Sequence, residues 1–192
     1  MRANLPALEK NILKYRALQM VLLLHQVESL RTFVIGSIRG TDSLPWRKGT
    51  ERLPAGTRGP LQKALAVLVE EEILTVAESS DLQAIVELRN KIGHTIHELV
   101  EDISAPRDLR RRDAIFDYYA LERFERYRHK IERGMMRNFV LQVSLLHVAF
   151  EQAEATYKEE LARLRKRIDR QYARRRAQTP NPSFHRTTSG GR

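Results

Sequence analysis

Four side chains able to do acid–base and anion chemistry stand close together in the segment DLQAIVELRNKIGHTIHELVEDI, residues 81–103. They are Arg89, Asn90, His94 and His97. A histidine titrates near neutrality and can give or take a proton at a reacting atom. An arginine presents a planar fork to two oxygens of an anion. At about 100° per residue, Leu82, Ile85, Ile92, Ile96, Leu99, Val100 and Ile103 share one face of a helix. Arg89 falls in the middle of that face, where a guanidinium is costly unless paired or used. Asn90 and His94, four apart, are neighbours on the helix surface. Arg89 and His94 are five apart, so their directions differ by about 140°. One straight helix therefore does not aim both at a small ligand. Loosening at Gly93 would bring them together, as would a long reach by Arg89. So would two copies meeting on a two-fold axis, with two Arg and two His in one cleft.

The run Arg89-Asn90-Lys91-Ile92-Gly93-His94 resembles the signature of the HEPN domain family: an Arg, a polar residue directly after it, and a His a few residues on, inside an amphipathic helix of an all-helical chain. The detailed likeness covers residues 81–103, and the helical layout extends it loosely over residues 5–103. The resemblance implies a metal-independent endoribonuclease, a toxin or phage-defence effector, with its site in a cleft between protomers. It makes Arg89 and His94 the catalytic pair and Asn90 the residue that orients them. It also implies a homodimer, RNA as partner, a possible antitoxin protein, and neither cofactor nor metal. Family members without activity give the alternative, a helical module that binds RNA or a partner protein.

The chemistry suits these residue types. In RNA the 2′-OH attacks the adjacent phosphate, so the protein need not supply a nucleophile. His94 would move a proton and Arg89 would neutralise charge building on the phosphorane oxygens. Asn90 would hold one tautomer of His94 or bind a phosphate oxygen. DNA lacks the 2′-OH, so the reaction would be specific to RNA. A second Arg-to-His gap, Arg123 to His129, is followed by Phe124 and fails the fuller pattern.

Plainer readings exist for each residue. Arg89 would pair with an acid of another helix, such as one of Glu70, Glu71 and Glu72, which otherwise read as a solvated face. His94 and His97 with Glu98 or Glu101 have metal-like spacing, but helical neighbours of this kind are common. His25 and His147 lie in apolar stretches and read as core. Phe116, Tyr118, Tyr119, Phe124 and Tyr127 read as core or dimer interface rather than as a base-stacking platform. Trp46 either anchors its loop or touches a ligand. No Walker or dinucleotide glycine pattern occurs.

Helices must position these groups. Apolar residues at three- to five-residue steps predict one over residues 5–36, with Leu8, Ile12, Tyr15, Leu18, Leu22, Val27, Leu30 and Val34 inward. Glycines and prolines from Gly40 to Pro60 predict a long connection, mobile or functional. Further helices are expected over residues 61–75, 81–103 (starting at Ser79 or Ser80), 107–133 and 135–176, with a break at Gly134. The fold expected is an all-α antiparallel bundle of about five helices, one domain over residues 1–176. The last helix, about 60 Å long, would protrude or pack on a second chain. Residues 177–192 would form a disordered tail.

The 192 residues carry a net charge of +10, unevenly. From Arg163 onward there are ten Lys or Arg and one acid, Asp169, a net of +9, whereas the first 162 residues hold 24 basic and 23 acidic groups. Arg163, Arg165, Lys166, Arg167, Arg170, Arg174, Arg175 and Arg176 would be either a solvated helix end or a nucleic-acid-binding run that attracts phosphates. The absence of cysteine excludes disulfides, thiolate zinc sites and cysteine nucleophiles. Apolar runs are short and no signal peptide is evident, so a cytoplasmic protein off the membrane is expected.

Overall fold

The computed structural model describes residues 6–47, 49–94, 100, 103, 116–142 and 145–178, with the side chains of 91–94, 145–149, 151, 176 and 178 excepted. These residues form five helices: α1 (Ala7–Asp42), α2 (Pro60–Glu70), α3 (Val76–His94), α4 (Ala120–Asn138) and α5 (Leu145–Gln178). No strand occurs among them, and the fold is all-α. The expected tail falls almost wholly outside the described residues.

α1 is the spine and touches the other four helices, α5 most extensively. Its apolar repeat buries Leu8, Ile12, Tyr15, Leu22, Val27, Leu30 and Val34. One window of α1 has the length and hydropathy to cross a bilayer, yet 44% of it is buried in the fold. The polar groups of α1 point to protein partners: Asn11 to Gln171, Arg16 to Tyr118 and Gln26 to Glu154. These are features of a bundle's core helix.

α5 lies along α1 of its own chain, contrary to the expectation that it protrudes or packs on another. The two helices are matched in length at 36 and 34 residues. They run antiparallel, with Glu9 bonded to Arg175, Asn11 to Gln171 and Gln26 to Glu154. Leu161, Leu164 and Ile168 of α5 enter the core between these polar layers.

Several helix boundaries differ from expectation: α2 stops at Glu70 short of residue 75, α4 starts at Ala120 with residues 116–119 outside any helix, and α5 starts at Leu145 after the non-helical residues 139–142. α1 continues through Gly36 and Gly40. There the extended link after α4 crosses it: a β-carbon on Gly36 would stand 3.2 Å from Gln142 Cβ, and one on Gly40 2.9 Å from Gln142 Nε2. The N–H groups of Val140 and Gln142 donate to Thr41 Oγ1 and Ser37 Oγ. α4 likewise runs through Gly134, where a β-carbon would meet Ile73 Cγ2 at 2.6 Å. This glycine serves close packing, and the helix ends instead at Phe139, whose backbone is extended. α3 begins at Val76, ahead of Ser79. Thr75 Oγ1 accepts the N–H of Glu78 while the Glu78 carboxylate accepts the N–H of Thr75, a capping box.

The long connection is fastened. Leu53 is buried, and Arg39 donates to the carbonyls of Leu53 and Pro54. Arg52 binds Asp42 and Glu71 and stacks on Phe139. Arg47 also pairs with Asp42. Trp46 is no anchor, being 75% exposed. Phe116, Tyr118 and Phe124 are core residues, with Tyr119 and Tyr127 packed against them. His25 is half-buried and stacks on Phe150. The side chain of His147 lies outside the described residues.

Candidate functional site

α3 reaches Arg89 as a well-braced helix. Its capping box is held by Lys130 of α4, which donates to both oxygens of Glu78. One turn on, Asp81 accepts from Arg123 Nε at 2.9 Å and from Tyr127 Oη at 2.7 Å. Leu82 and Ile85 are fully buried. Arg89 follows on the same face and is half-buried. Its Nη1 donates to Asn90 Oδ1 at 2.7 Å, and its Nε is shielded from solvent with no hydrogen-bond partner.

The acid expected for Arg89 is absent among the described residues. Glu71 is engaged by Arg52 and Asn138, and Glu70 and Glu72 are exposed. The other half-buried arginines find matching groups. Arg123 bridges Asp81 and Asp117, Arg128 meets Glu132 and Glu154, and Arg165 meets Glu122 and the Tyr119 ring. The competing Arg123-to-His129 gap is thus a structural arginine followed by a histidine that is 61% exposed beside Glu132.

Arg89 and Asn90 line an open cleft of about 290 Å³. Its walls are α3, the start of α2 from Gly59 to Gln62, and Arg31 of α1. Gly59 takes a left-handed conformation at φ 60°, Pro60 occupies the first turn, and no side chain caps the helix. A helix start carries partial positive charge. That charge joins the guanidiniums of Arg89 and of Arg31, the latter shared with Glu28 of its own helix, against the single carboxylate of Glu87 in the lining. The charge that favours an anion in the cleft is thus chiefly that of Arg89 and the α2 start. Arg31 and the α2 start were not singled out from the sequence. Gly59-Pro60 was visible only as punctuation, and nothing local to Arg31 sets it apart.

α3 stays helical through Gly93 to His94, so the glycine does not loosen the helix there. The side chain of His94 and all of His97, Glu98 and Glu101 lie outside the described residues. Arg89 and Asn90 are brought together, and His94 shares their helix. No group of three His, Asp or Glu suited to a metal occurs among the described residues.

The basic run divides into two sets. Arg165 is half-buried against Glu122 and the Tyr119 ring, and Arg175, itself exposed, is paired with the buried Glu9. Arg163 is exposed beside Glu159 and Glu160 of its own helix. Lys166, Arg167, Arg170 and Arg174 are exposed and meet no acid among the described residues. The side chain of Arg176 is not among those described.

No family model matches this chain, and no curated protein or solved structure matches it either.

Proposed function

We propose that this protein is a metal-independent endoribonuclease of the HEPN type, a toxin or phage-defence effector that works as a homodimer. One observation carries the reading. Arg89 sits half-buried on the core-facing stripe of α3, without a carboxylate among the described residues, and opens on a cation-lined cleft. A structural arginine at such a position would be paired, as Arg123 is. Arg89 would bind the scissile phosphate and His94 would transfer the proton, with Asn90 holding the Arg89 fork in place. With α3 unbroken at Gly93, two routes remain to join a histidine to a given Arg89, a long reach by the arginine or a second protomer, and the homodimer would supply the second.

The test is cleavage of mixed cellular RNA by the purified protein in EDTA, beside Arg89→Ala and His94→Ala. Products ending in 2′,3′-cyclic phosphate, lost in both folded variants, are expected. Cleavage by either variant at the parent rate would overturn the assignment. The exposed cations of α5 favour a second reading, a non-catalytic module that binds RNA or a protein partner. Such a module would bind as well with His94→Ala and would show no turnover.

A further inference from the structure

The basic run of α5 is eight cations in sequence, but the fold sorts them by direction. At 100° per residue, Arg163, Lys166, Arg167, Arg170 and Arg174 fall within an arc of about 100°. All five are exposed. The buried side chains Leu161, Leu164 and Ile168 project from the opposite side of α5. Arg165 and Arg175 lie off this arc and are held by Glu122 and Glu9. Arg163 is accompanied by Glu159 and Glu160, so the four cations from Lys166 to Arg174 form the acid-free part of the face.

The position of this face follows from the register of α5 on α1. Gln171 is bonded to Asn11 and Arg175 to Glu9, and Arg165 lies against Tyr15. The exposed cations are therefore level with residues 9–15 of α1. The cleft is level with Arg31 of the same helix. Nineteen residues of α1 separate the middle of that stretch from Arg31, which places the two sites about 30 Å apart along the helix axis.

We infer that the outward face of α5, made by Lys166, Arg167, Arg170 and Arg174, is a backbone-binding site for RNA set about 30 Å from the Arg89 cleft on the same chain. The substrate class follows: an RNA long enough to reach both sites, since a short oligonucleotide can occupy only one. Cations on a face that no aromatic side chain shares, Tyr172 being packed toward the core, suit phosphates and carry no means of reading bases. Little apolar surface accompanies them, which disfavours a membrane surface. This inference rests on the reading of the Arg89 cleft as an RNA site, but the α5 face is testable without cleavage.

The experiment measures RNA binding by the full chain carrying His94→Ala, with and without Lys166→Gln, Arg167→Gln, Arg170→Gln and Arg174→Gln together. Single-stranded RNAs of about 4 and about 25 nucleotides are titrated across a salt series. For the long RNA the fourfold variant should lower the slope of log K against log salt by about 3, at about 0.7 for each phosphate that is no longer neutralised. The short RNA, which can occupy only one site, should bind weakly and lose less than the long RNA on going to the fourfold variant. The single variants, each lowering the slope by about 0.7, keep the test open if the fourfold variant melts early. An unchanged slope in folded variants would overturn the proposal, as would an equal loss for short and long RNA. Anionic phosphatidylserine vesicles that compete off the long RNA at equal salt would also overturn it, in favour of a membrane surface. Loss of long-RNA binding in the fourfold variant, with no cleavage by the wild-type protein in EDTA, would leave the α5 site standing and remove the nuclease.

Discussion

Arg89 Nη1 donates to Asn90 Oδ1 across 2.7 Å, a bond between sequence neighbours whose side chains leave the helix about 100° apart. The bond draws the guanidinium toward the cleft and leaves its Nε buried and unsatisfied. The fork is oriented without being neutralised, which is the state a phosphate site requires.

Removing Arg89 and removing Arg123 should therefore have opposite signatures. Arg89→Ala frees no carboxylate among the described residues and should change unfolding free energy by less than about 1 kcal/mol while abolishing RNA cleavage. Arg123→Ala leaves Asp81 and Asp117 without their shared donor and should cost roughly 2 kcal/mol. Urea unfolding of the two variants, alongside cleavage assays, separates the roles. A large stability loss in Arg89→Ala would make it a structural residue.

If His94 transfers the proton, kcat/KM for RNA should change with pH along a limb near the ordinary histidine pKa of about 6.5. The limb should vanish with His94→Ala and persist with His129→Ala, whose histidine is exposed beside Glu132. A limb that follows His129 would move the chemistry to α4.

Gly134→Ala should destabilise the fold although it improves local helix propensity. The added methyl would stand 2.6 Å from Ile73 Cγ2, and Ile73 is itself buried. Overpacking of this kind costs about 1–3 kcal/mol, against a propensity gain of about 1. The double variant with Ile73→Val should recover part of the loss. A more stable Gly134→Ala protein would show that the contact yields freely.

Glu154 lies between Gln26, Lys158 and Arg128. Burial acts to raise its pKa, but the hydrogen bonds from Lys158 and Gln26 and the charge of Arg128 outweigh it. Its carboxyl is held below the ordinary glutamate value. A carboxylate depressed in the folded state adds stability that is complete above the unfolded pKa, about 4.3, and is lost as pH falls through the folded value. Unfolding free energy should therefore fall as pH drops below about 4. Glu154→Gln should show a shallower acid limb with a lower plateau at pH 7. Identical acid limbs in the two proteins would remove Glu154 from the account.

Thr75→Ala should cost about 1 kcal/mol by opening the capping box of α3, and Thr75→Ser should restore most of it. Thermal melts of the two variants read the difference.

The helical class, the core positions of α1 and the oddity of Arg89 were legible in the sequence because each is a matter of local period. A residue every three or four positions faces one way, and Arg89 interrupts such a row. The capping box at Thr75 was legible in principle, as Thr-x-x-Glu, but Ser79 and Ser80 offered a competing start. The glycines misled because a glycine has two uses. Gly134 and Gly40 read as breaks, whereas both admit a neighbour that sequence spacing does not reveal, Ile73 in one case and Gln142 in the other.

By itself, then, the sequence determined which segments are helical, which faces are apolar, that the charge gathers at one end, and that Arg89, Asn90 and His94 share a helix. Tertiary structure decided the rest. It laid α5 back along α1, paired Arg165 and Arg175 with Glu122 and Glu9, and left Lys166, Arg167, Arg170 and Arg174 exposed without an acid among the described residues. It also brought Arg31 and the start of α2 opposite Arg89 to make a cleft. The reason is physical. A helix's own period fixes the direction of each side chain, but the partner it meets depends on contacts between residues far apart in the chain, whose register no local pattern encodes.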